Sequence, residues 1–524
     1  MAGRGPRAGG GRRPSADARE TRDGETAVGA GGAPLVKVCD LAGRPRGTGF
    51  VADHHGTLIT SHEAVDGLAR LVLHGAADRT CVVSTADAVT PLPALGLALV
   101  HTEGLGTDPL PVSARDRVPT GTYVRIAAGG WREARVLGTT DVTYTATDRF
   151  HVLPDALELA IGTAGSDALR LGGGAAGGPV LDRTTGAVLA VLGTALLPRP
   201  TGESAPSAGH RAAGFALPLR DRRADGPGPL ADLLARNAAT VPAYCADLNL
   251  AGVLELTATS VGSDGPPGAL AGFMGRTSGG LDTGVVEPVE RAEPARRLKA
   301  FTAGRETPAV VLGLVGAPGS GRTTELAALA ARRHRDPEPA PTLWLRGADL
   351  RDDDTSVADA ARRALDRAGR IVAASGTYGD GLGDISPERL AALAHDSGRP
   401  LLLLLDGPEE MPPLLAHRAP EWTRATEEWL RTANARLVMA CRPEYWEQTG
   451  SPSTSTSTSP SPSPSGPGIP SQRPSHPPHL RLQIHLTDLT EAEARQAQAR
   501  YAIPETALTP ADARHPLTLS LIHL

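Results

Sequence analysis

The chain has 524 residues, a formal net charge of −5 at pH 7, 40% hydrophobic residues and only 3% aromatic ones. That length excludes a single ordinary domain and predicts two or three. The small negative charge excludes a chain built as a whole to bind nucleic acid, and the cores must be mostly Leu, Val and Ala. Of 53 basic residues only Lys37 and Lys299 are lysines; with 61 Gly and 46 Pro this points to a GC-rich coding bias, so arginine content carries little meaning. Cys39, Cys81, Cys245 and Cys441 are widely spaced with no C-x-x-C pair, which argues against a zinc site or a disulfide framework.

Residues 1–32 are rich in Gly and Arg and carry no apolar segment of signal-peptide type, so a disordered tail is expected. No apolar stretch reaches the roughly 20 residues that span a bilayer. A cytoplasmic, reducing setting is the default expectation.

Residues 33–222 read as short strands punctuated by Gly, Pro and Asp: Leu35–Cys39, Gly49–Ala52, Thr57–Thr60, Leu71–Leu73, Leu97–Val100 and Val188–Leu192. Regular short strands without long helices predict an all-β barrel or sandwich. Residues 223–300 form a mixed connector with no assigned structure. From 301 to 524 buried strands alternate with helices. The strands are 309–315, Thr342–Leu345, Leu401–Leu405 and Arg436–Ala440; helical stretches such as Val357–Ala368 and Glu421–Asn434 lie between them. That alternation predicts an α/β domain with a parallel sheet. A Ser/Pro/Thr tract at 450–479 is an insertion or linker unable to form a packed core. The chain stops in the apolar run Leu519–Leu524, which suggests truncation.

The first chemical motif in chain order is Gly47-Thr-Gly-Phe-Val-Ala52, followed by Gly56-Thr-Leu-Ile-Thr-Ser-His62-Glu-Ala-Val65. With the later Gly174-Ala-Ala-Gly-Gly-Pro-Val180 and Gly214-Phe-Ala-Leu-Pro218, these segments resemble a trypsin-like serine peptidase of the HtrA type. The resemblance implies a chymotrypsin-fold double barrel with His62 as the general base. At the family's nucleophile position this chain has Ala176, and at the orienting Asp position, in Leu95-Gly-Leu-Ala-Leu-Val100, it has Gly96. Acyl transfer needs a hydroxyl and a carboxylate that fixes the imidazole tautomer. A methyl at 176 offers neither, so His62 is read as a vestigial base. Ser166 lacks the following Gly-Gly and is a poor stand-in; nothing in the sequence requires Asp87 to approach His62. Such a domain retains a shape for extended peptide, bound by strand addition.

The strongest motif is Gly316-Ala-Pro-Gly-Ser-Gly-Arg-Thr-Thr324, set between an apolar strand and a helical run. It follows the phosphate-loop pattern G-x-x-x-x-G-K-[ST], with Arg322 where Lys is usual. Backbone N–H groups around Gly316, Gly319, Ser320, Gly321, Arg322, Thr323 and Thr324 are expected to cradle the phosphates of a nucleotide, ATP first. The run Leu401–Leu405 ends in Asp406, a candidate with Thr323 for holding Mg²⁺; Glu409 and Glu410 follow as candidates to activate water. Arg keeps the Lys charge but is longer and forked, which predicts retained binding and slow hydrolysis.

Together these residues resemble the NACHT branch of the STAND P-loop NTPases. Gly407 and the pair Glu409/Glu410 match that family's acidic motif. Met439-Ala-Cys-Arg-Pro443 makes Arg442 a sensor candidate, and Arg514-His-Pro-Leu517 places Pro516 as a lid residue near the base. The resemblance implies a regulatory NTPase, often oligomeric, with the inactive β domain as a recognition or docking module for a peptide or protein. Two alternatives stay open: an active serine peptidase regulated by the NTPase domain, and a structural protein with both activities lost.

Overall fold

The computed structural model describes residues 34–524 except 77–78, 114, 163–173, 200–212, 221–227, 267–288, 305–307, 376–380, 451–480, 505–506 and 524. The tail 1–32, the tract 450–479 apart from Gly450, and Ser166 lie outside the described residues.

The N-terminal region is all-β and built from two antiparallel sheets. The first runs in the order Thr80–Ser84, Arg70–His74, Val36–Cys39, Pro45–Val51, Thr57–Ser61, Leu97–His101, Val89–Leu92. The second runs Phe150–Ala160, Ala213–Pro218, Val188–Gly193, Pro179–Asp182, Tyr123–Ala127, Trp131–Thr145, Leu197–Pro198. Phe150–Ala160 also pairs with Trp131–Thr145, so this sheet closes on itself and removes two edges. The long strand Trp131–Thr145 shows why: Ala134, Val136, Val142 and Tyr144 are buried while Glu133, Arg135 and Leu137 alternate with them on the outer face. Each sheet wraps its own core, one around Val38, Leu58, Leu73 and Val100, the other around Ile126, Leu157, Val180 and Leu192.

The C-terminal region contains a five-stranded parallel sheet in the order Thr342–Arg346, Leu402–Asp406, Arg436–Cys441, Val311–Gly316, Leu482–Leu486. Its four strands from Val311 to Cys441 are apolar along most of their length because both faces are covered, while the edge strand Leu482–Leu486 exposes Gln483 and His485. Leu403 and Leu405 pack in one core with Val357, Ala361 and Leu365 of the helix Val357–Ser375. Leu402 and Leu404 pack in the other with Leu326 and Ala330 of the helix Arg322–Arg335. The sheet's chain order reverses at Val311–Gly316: the next three strands lie to one side and Leu482–Leu486 to the other.

The described parts of 223–300, for which the sequence predicts no definite structure, contain helices Pro229–Thr240, Leu250–Asp264 and Ala292–Ala303. Asn249 caps the second helix, accepting from the Gly252 N–H. Tyr244, Val253 and Leu256 enter one core of the parallel sheet, and Val261, Leu298 and Phe301 the other. The same segment grips the β region. The Asn237 amide donates to the Ala52 and Leu110 carbonyls and accepts from the Val112 N–H. No helix among the described residues is long and apolar enough to cross a membrane.

Candidate functional site

The parallel sheet brings several of the sequence-predicted residues to the C-terminal ends of its strands. Gly316 closes its strand with no room for a side chain: an added Cβ would lie 2.4 Å from Ser320 Oγ and 3.1 Å from Leu486 Cβ. Gly319 and Gly321 take φ of +81° and +88°, left-handed conformations that glycine adopts without strain. The loop then enters the helix Arg322–Arg335, whose first-turn N–H groups point back toward it. Thr323 Oγ1 donates to Asp406 Oδ1 at 3.1 Å, although 83 residues separate them. Burial pushes the Asp406 carboxyl above the usual range, opposed by the Thr323 hydroxyl and the Arg322 charge.

Gly407 turns the chain after Asp406 with φ of +63°, and its N–H bonds the Ala440 carbonyl of the neighbouring strand. The turn is tightly packed: a Cβ on Gly347 would sit 1.8 Å from the Gly407 oxygen. It brings Glu409 beneath the loop. Glu409 Oε1 lies 3.0 Å from Arg322 Nη1 and 3.3 Å from Arg442 Nε, while its Oε2 is buried without a partner. Glu410 is exposed. Arg322, Asp406, Glu409 and Arg442 therefore form one charged cluster at the sheet edge.

Behind the loop, Arg291, Ser320, Gly321, Thr324, Glu325, Leu489, Tyr501, Pro516 and their neighbours line a pocket of about 530 Å³, its open mouth included. The segment His515–Leu517 covers the loop, and a Cβ on Gly319 would meet His515 and Leu517 at 2.9–3.0 Å. Arg291 Nη1 and Nη2 donate to the Ser320 and Thr487 carbonyls. Ser320 Oγ is buried with no partner. Glu325 is 4% exposed, and burial pushes its carboxyl up to about 7 against the charges of Arg291 and Arg332. Neither Glu325 nor Arg291 stands out in the sequence: an acid in a helix's first turn is the ordinary response to the helix dipole, and Arg291 is remote from every motif.

In the β region, His62 opens a one-turn helix after the strand Thr57–Ser61 and is 7% exposed. Its N–H donates to the Gly96 carbonyl, which puts Gly96 beside it. Gly96 takes φ of +67°, and a Cβ there would lie 2.5 Å from Leu217 Cδ1 and 2.8 Å from Leu153 Cδ1. The His62 Nδ1 pairs instead with the Tyr144 hydroxyl at 2.9 Å, and Tyr144 stacks on His151. A neutral phenol accepts from Nδ1–H or donates to Nδ1 equally well, so it does not impose the tautomer that a carboxylate does. Burial lowers the His62 pKa, with the nearby charges of Asp66 and Asp148 opposing it. The loop Gly174–Gly178 is tied to the strand Pro45–Val51: the Thr48 N–H donates to the Ala176 carbonyl at 2.7 Å and Thr48 Oγ1 to the Gly174 carbonyl. A Cβ on Gly177 would lie 2.7 Å from the Ser61 nitrogen, so Ala176 and His62 flank two touching residues. Asp87 lies on the short helix Thr85–Ala88 and makes no hydrogen bond to His62. Tyr144, 82 residues from His62, left no signal in the sequence.

Residues 47–191 match the family described as trypsin-like peptidase domain. This part of the chain is a trypsin-like domain with curled antiparallel sheets. No curated protein matches the chain. Among solved structures it is similar to the active form of the Rv3671c protease from M. tuberculosis, at 21% identity over 40% of this chain and 82% of that one, with a TM-score of 0.28. It is also similar to the HtrA-type protease AlgW with tripeptide, at 14% identity over 35% and 55% of the two chains, with a TM-score of 0.25.

Proposed function

We propose that the chain is a nucleotide-binding regulatory NTPase of the NACHT/STAND kind, in which the trypsin-like domain has lost peptidase chemistry and serves as a recognition or docking module. The observation that carries this reading is the Thr323–Asp406 hydrogen bond. It joins the helix after a glycine-rich loop to the acid at the end of a second parallel strand. The reversal of strand order at Val311–Gly316 supports it further, since open parallel sheets bind ligands outside the strand ends at such a point.

The residues suit a nucleoside triphosphate and its metal. Gly316, Gly319 and Gly321 leave three positions of the loop without side chains, and the amides of Arg322, Thr323 and Thr324 lie at the helix N-terminus, which suits an anion. Ser320 Oγ is an orphaned hydroxyl inside this loop. Arg322 and Arg442 supply positive charge for the terminal phosphates once Glu409 releases them. Thr323 and Asp406 would hold Mg²⁺; when bound, the ion neutralises phosphate charge and orients it. Among the described residues no group of three His, Cys, Asp or Glu side chains stands ready to hold a metal alone, so the remaining ligands would be phosphate oxygens and water. A Cβ on Gly321 would lie 3.8 Å from Pro516 Cβ, so Pro516 stands beside this glycine and would cover the nucleotide as a lid. Glu409 and Glu410 are the candidates for activating water. In this arrangement Glu409 is engaged by two arginines, which favours slow turnover.

Arg322→Ala should weaken ATP binding to the full chain by about tenfold or more, the loss of one charge-assisted phosphate contact. Unchanged affinity would remove Arg322 from the site. The absence of a nucleophile at Ala176 predicts no labelling by a serine-directed fluorophosphonate; labelling would establish the peptidase reading instead.

A further inference from the structure

The pocket behind the loop has a mixed lining: Val289, Leu489, Ala497, Pro516 and Leu519 give it apolar surface, and Arg291, Ser320, Thr324 and Glu325 give it polar groups. The apolar surface suits the faces of a flat aromatic ring. Glu325 is the acid among the polar groups. It lies one turn into the helix that follows the glycine-rich loop, it lines the pocket, and it is 4% exposed. Its Oε2 is shielded from solvent and has no hydrogen-bond partner. A buried carboxyl oxygen left unpaired is costly, so a donor that reaches it is strongly favoured.

The surrounding side chains do not provide one. Arg291 faces Glu325 from the segment before Ala292–Ala303, but its terminal nitrogens are committed to the Ser320 and Thr487 carbonyls. Arg332, on the same helix, has its Nη1 on Glu290; its Nη2 is buried without a partner, and its charge acts on Glu325 with no hydrogen bond between them. Glu290 and Glu493 are acids and cannot satisfy an ionised carboxylate. The pocket is thus lined by a carboxyl group whose Oε2 lacks a partner, beside apolar surface and directly behind a loop suited to phosphates.

We infer that Glu325 reads the exocyclic amino group of a purine nucleotide seated in this pocket. The inference rests on the nucleotide-binding reading above and extends it to the base. A carboxyl group accepts an N–H in either protonation state, so the selection needs no particular charge. A 6-amino purine and a 2-amino purine share this chemistry; hypoxanthine has neither amine. Leaving a buried acceptor unpaired is the mechanism by which a site built for a hydrogen bond rejects the analogue that lacks it.

The test is calorimetric titration of the full chain with ATP, GTP and ITP, each with Mg²⁺, for the wild type and for Glu325→Gln and Glu325→Leu. The expected result is that ITP binds about tenfold to a hundredfold more weakly than ATP, GTP or both. Which of the two is preferred identifies the 6-amino or the 2-amino source. Glu325→Gln keeps a carbonyl acceptor and should keep part of the discrimination, while Glu325→Leu should bring the three affinities together. ITP binding as tightly as both ATP and GTP would overturn the inference and leave nucleotide binding standing. Discrimination that persists in Glu325→Leu would also overturn it. Failure of every triphosphate to bind would overturn it together with the reading on which it rests.

Discussion

Glu409 Oε1 is shared between Arg322 and Arg442, at 3.0 Å and 3.3 Å. Arg322 and Glu409 each expose 15% of their side chains, so this pair is better shielded than a surface ion pair. The carboxylate stands where two cations converge beside a glycine-rich loop, an arrangement that an incoming phosphate can take over.

Glu409→Gln should therefore raise affinity for ATP. It removes a competitor for both arginines at a cost of about 1 kcal/mol of folding stability, and binding should tighten roughly fivefold. If Glu409 also activates water, single-turnover hydrolysis will fall in the same variant. Equilibrium binding and rapid-quench turnover separate the two effects; weaker binding would mean that Glu409 does not compete with the ligand.

Placing Ser at 176 and Asp at 96 should not produce a serine peptidase. Ala176→Ser supplies a hydroxyl, but His62 is oriented by the Tyr144 phenol and not by a carboxylate. Gly96→Asp places a side chain at a left-handed φ, against Leu217 and Leu153, and should cost about 2 kcal/mol in denaturant unfolding. The double variant is expected to be less stable and unreactive toward a fluorophosphonate. Efficient labelling would show that an acid at position 96 is accommodated and takes over the orientation of His62 from Tyr144.

His62 should titrate below its ordinary value of 6.5, because burial disfavours the imidazolium. In the unfolded chain the proton binds from about pH 6.5 downward. Between that point and the lower folded value, the unfolded state alone gains the proton, so stability falls as pH drops through this window. His62→Gln should flatten that loss. An NMR titration placing His62 above 6.5 would contradict the assignment.

How far the sequence discloses these features differs from one to the next. The uninterrupted leucines of 401–405 follow directly from burial on two faces, and the structure has the strand Leu402–Asp406 there; the strand Trp131–Thr145 does not stand out in the sequence, its alternation being interrupted by Gly138, Thr139 and Thr140. The loop at 316–324 is legible because glycine, hydroxyl and helix come in fixed local order. Helix Leu250–Asp264 is not, since its Val253, Leu256, Val261 and intervening Thr and Ser residues meet protein on several sides and leave no polar stripe. Tyr144 beside His62 and Glu409 beside Arg322 are contacts across 82 and 87 residues, and only the fold brings them together. Glu325 is invisible for another reason: its type is ordinary for a first helical turn, and its burial is what makes it unusual.

Asp247 joins the two regions through a buried network. Its carboxylate, with no exposed side-chain surface, accepts from Arg115 at 2.6 Å, from Ser113 Oγ at 2.6 Å and from Thr185 Oγ1, while Arg115 also pairs with Asp182. Asp247→Ala strands Arg115 beside a single acid and should cost about 3 kcal/mol in chemical denaturation. The variant should also lower the cooperativity of unfolding, seen as separate transitions for the β and α/β regions. A change below about 0.5 kcal/mol would mean that water replaces the network freely.

A nucleotide held by the 316–324 loop, with Mg²⁺ at Thr323 and Asp406, is tested by calorimetric titration of the full chain with ATP, with and without Mg²⁺, in the wild type and Asp406→Asn. Saturable one-to-one binding is expected, weakening about tenfold or more when Mg²⁺ is withdrawn, with a much smaller Mg²⁺ dependence in Asp406→Asn. No heat of binding from a folded chain, or binding indifferent to both Mg²⁺ and Asp406, would contradict it.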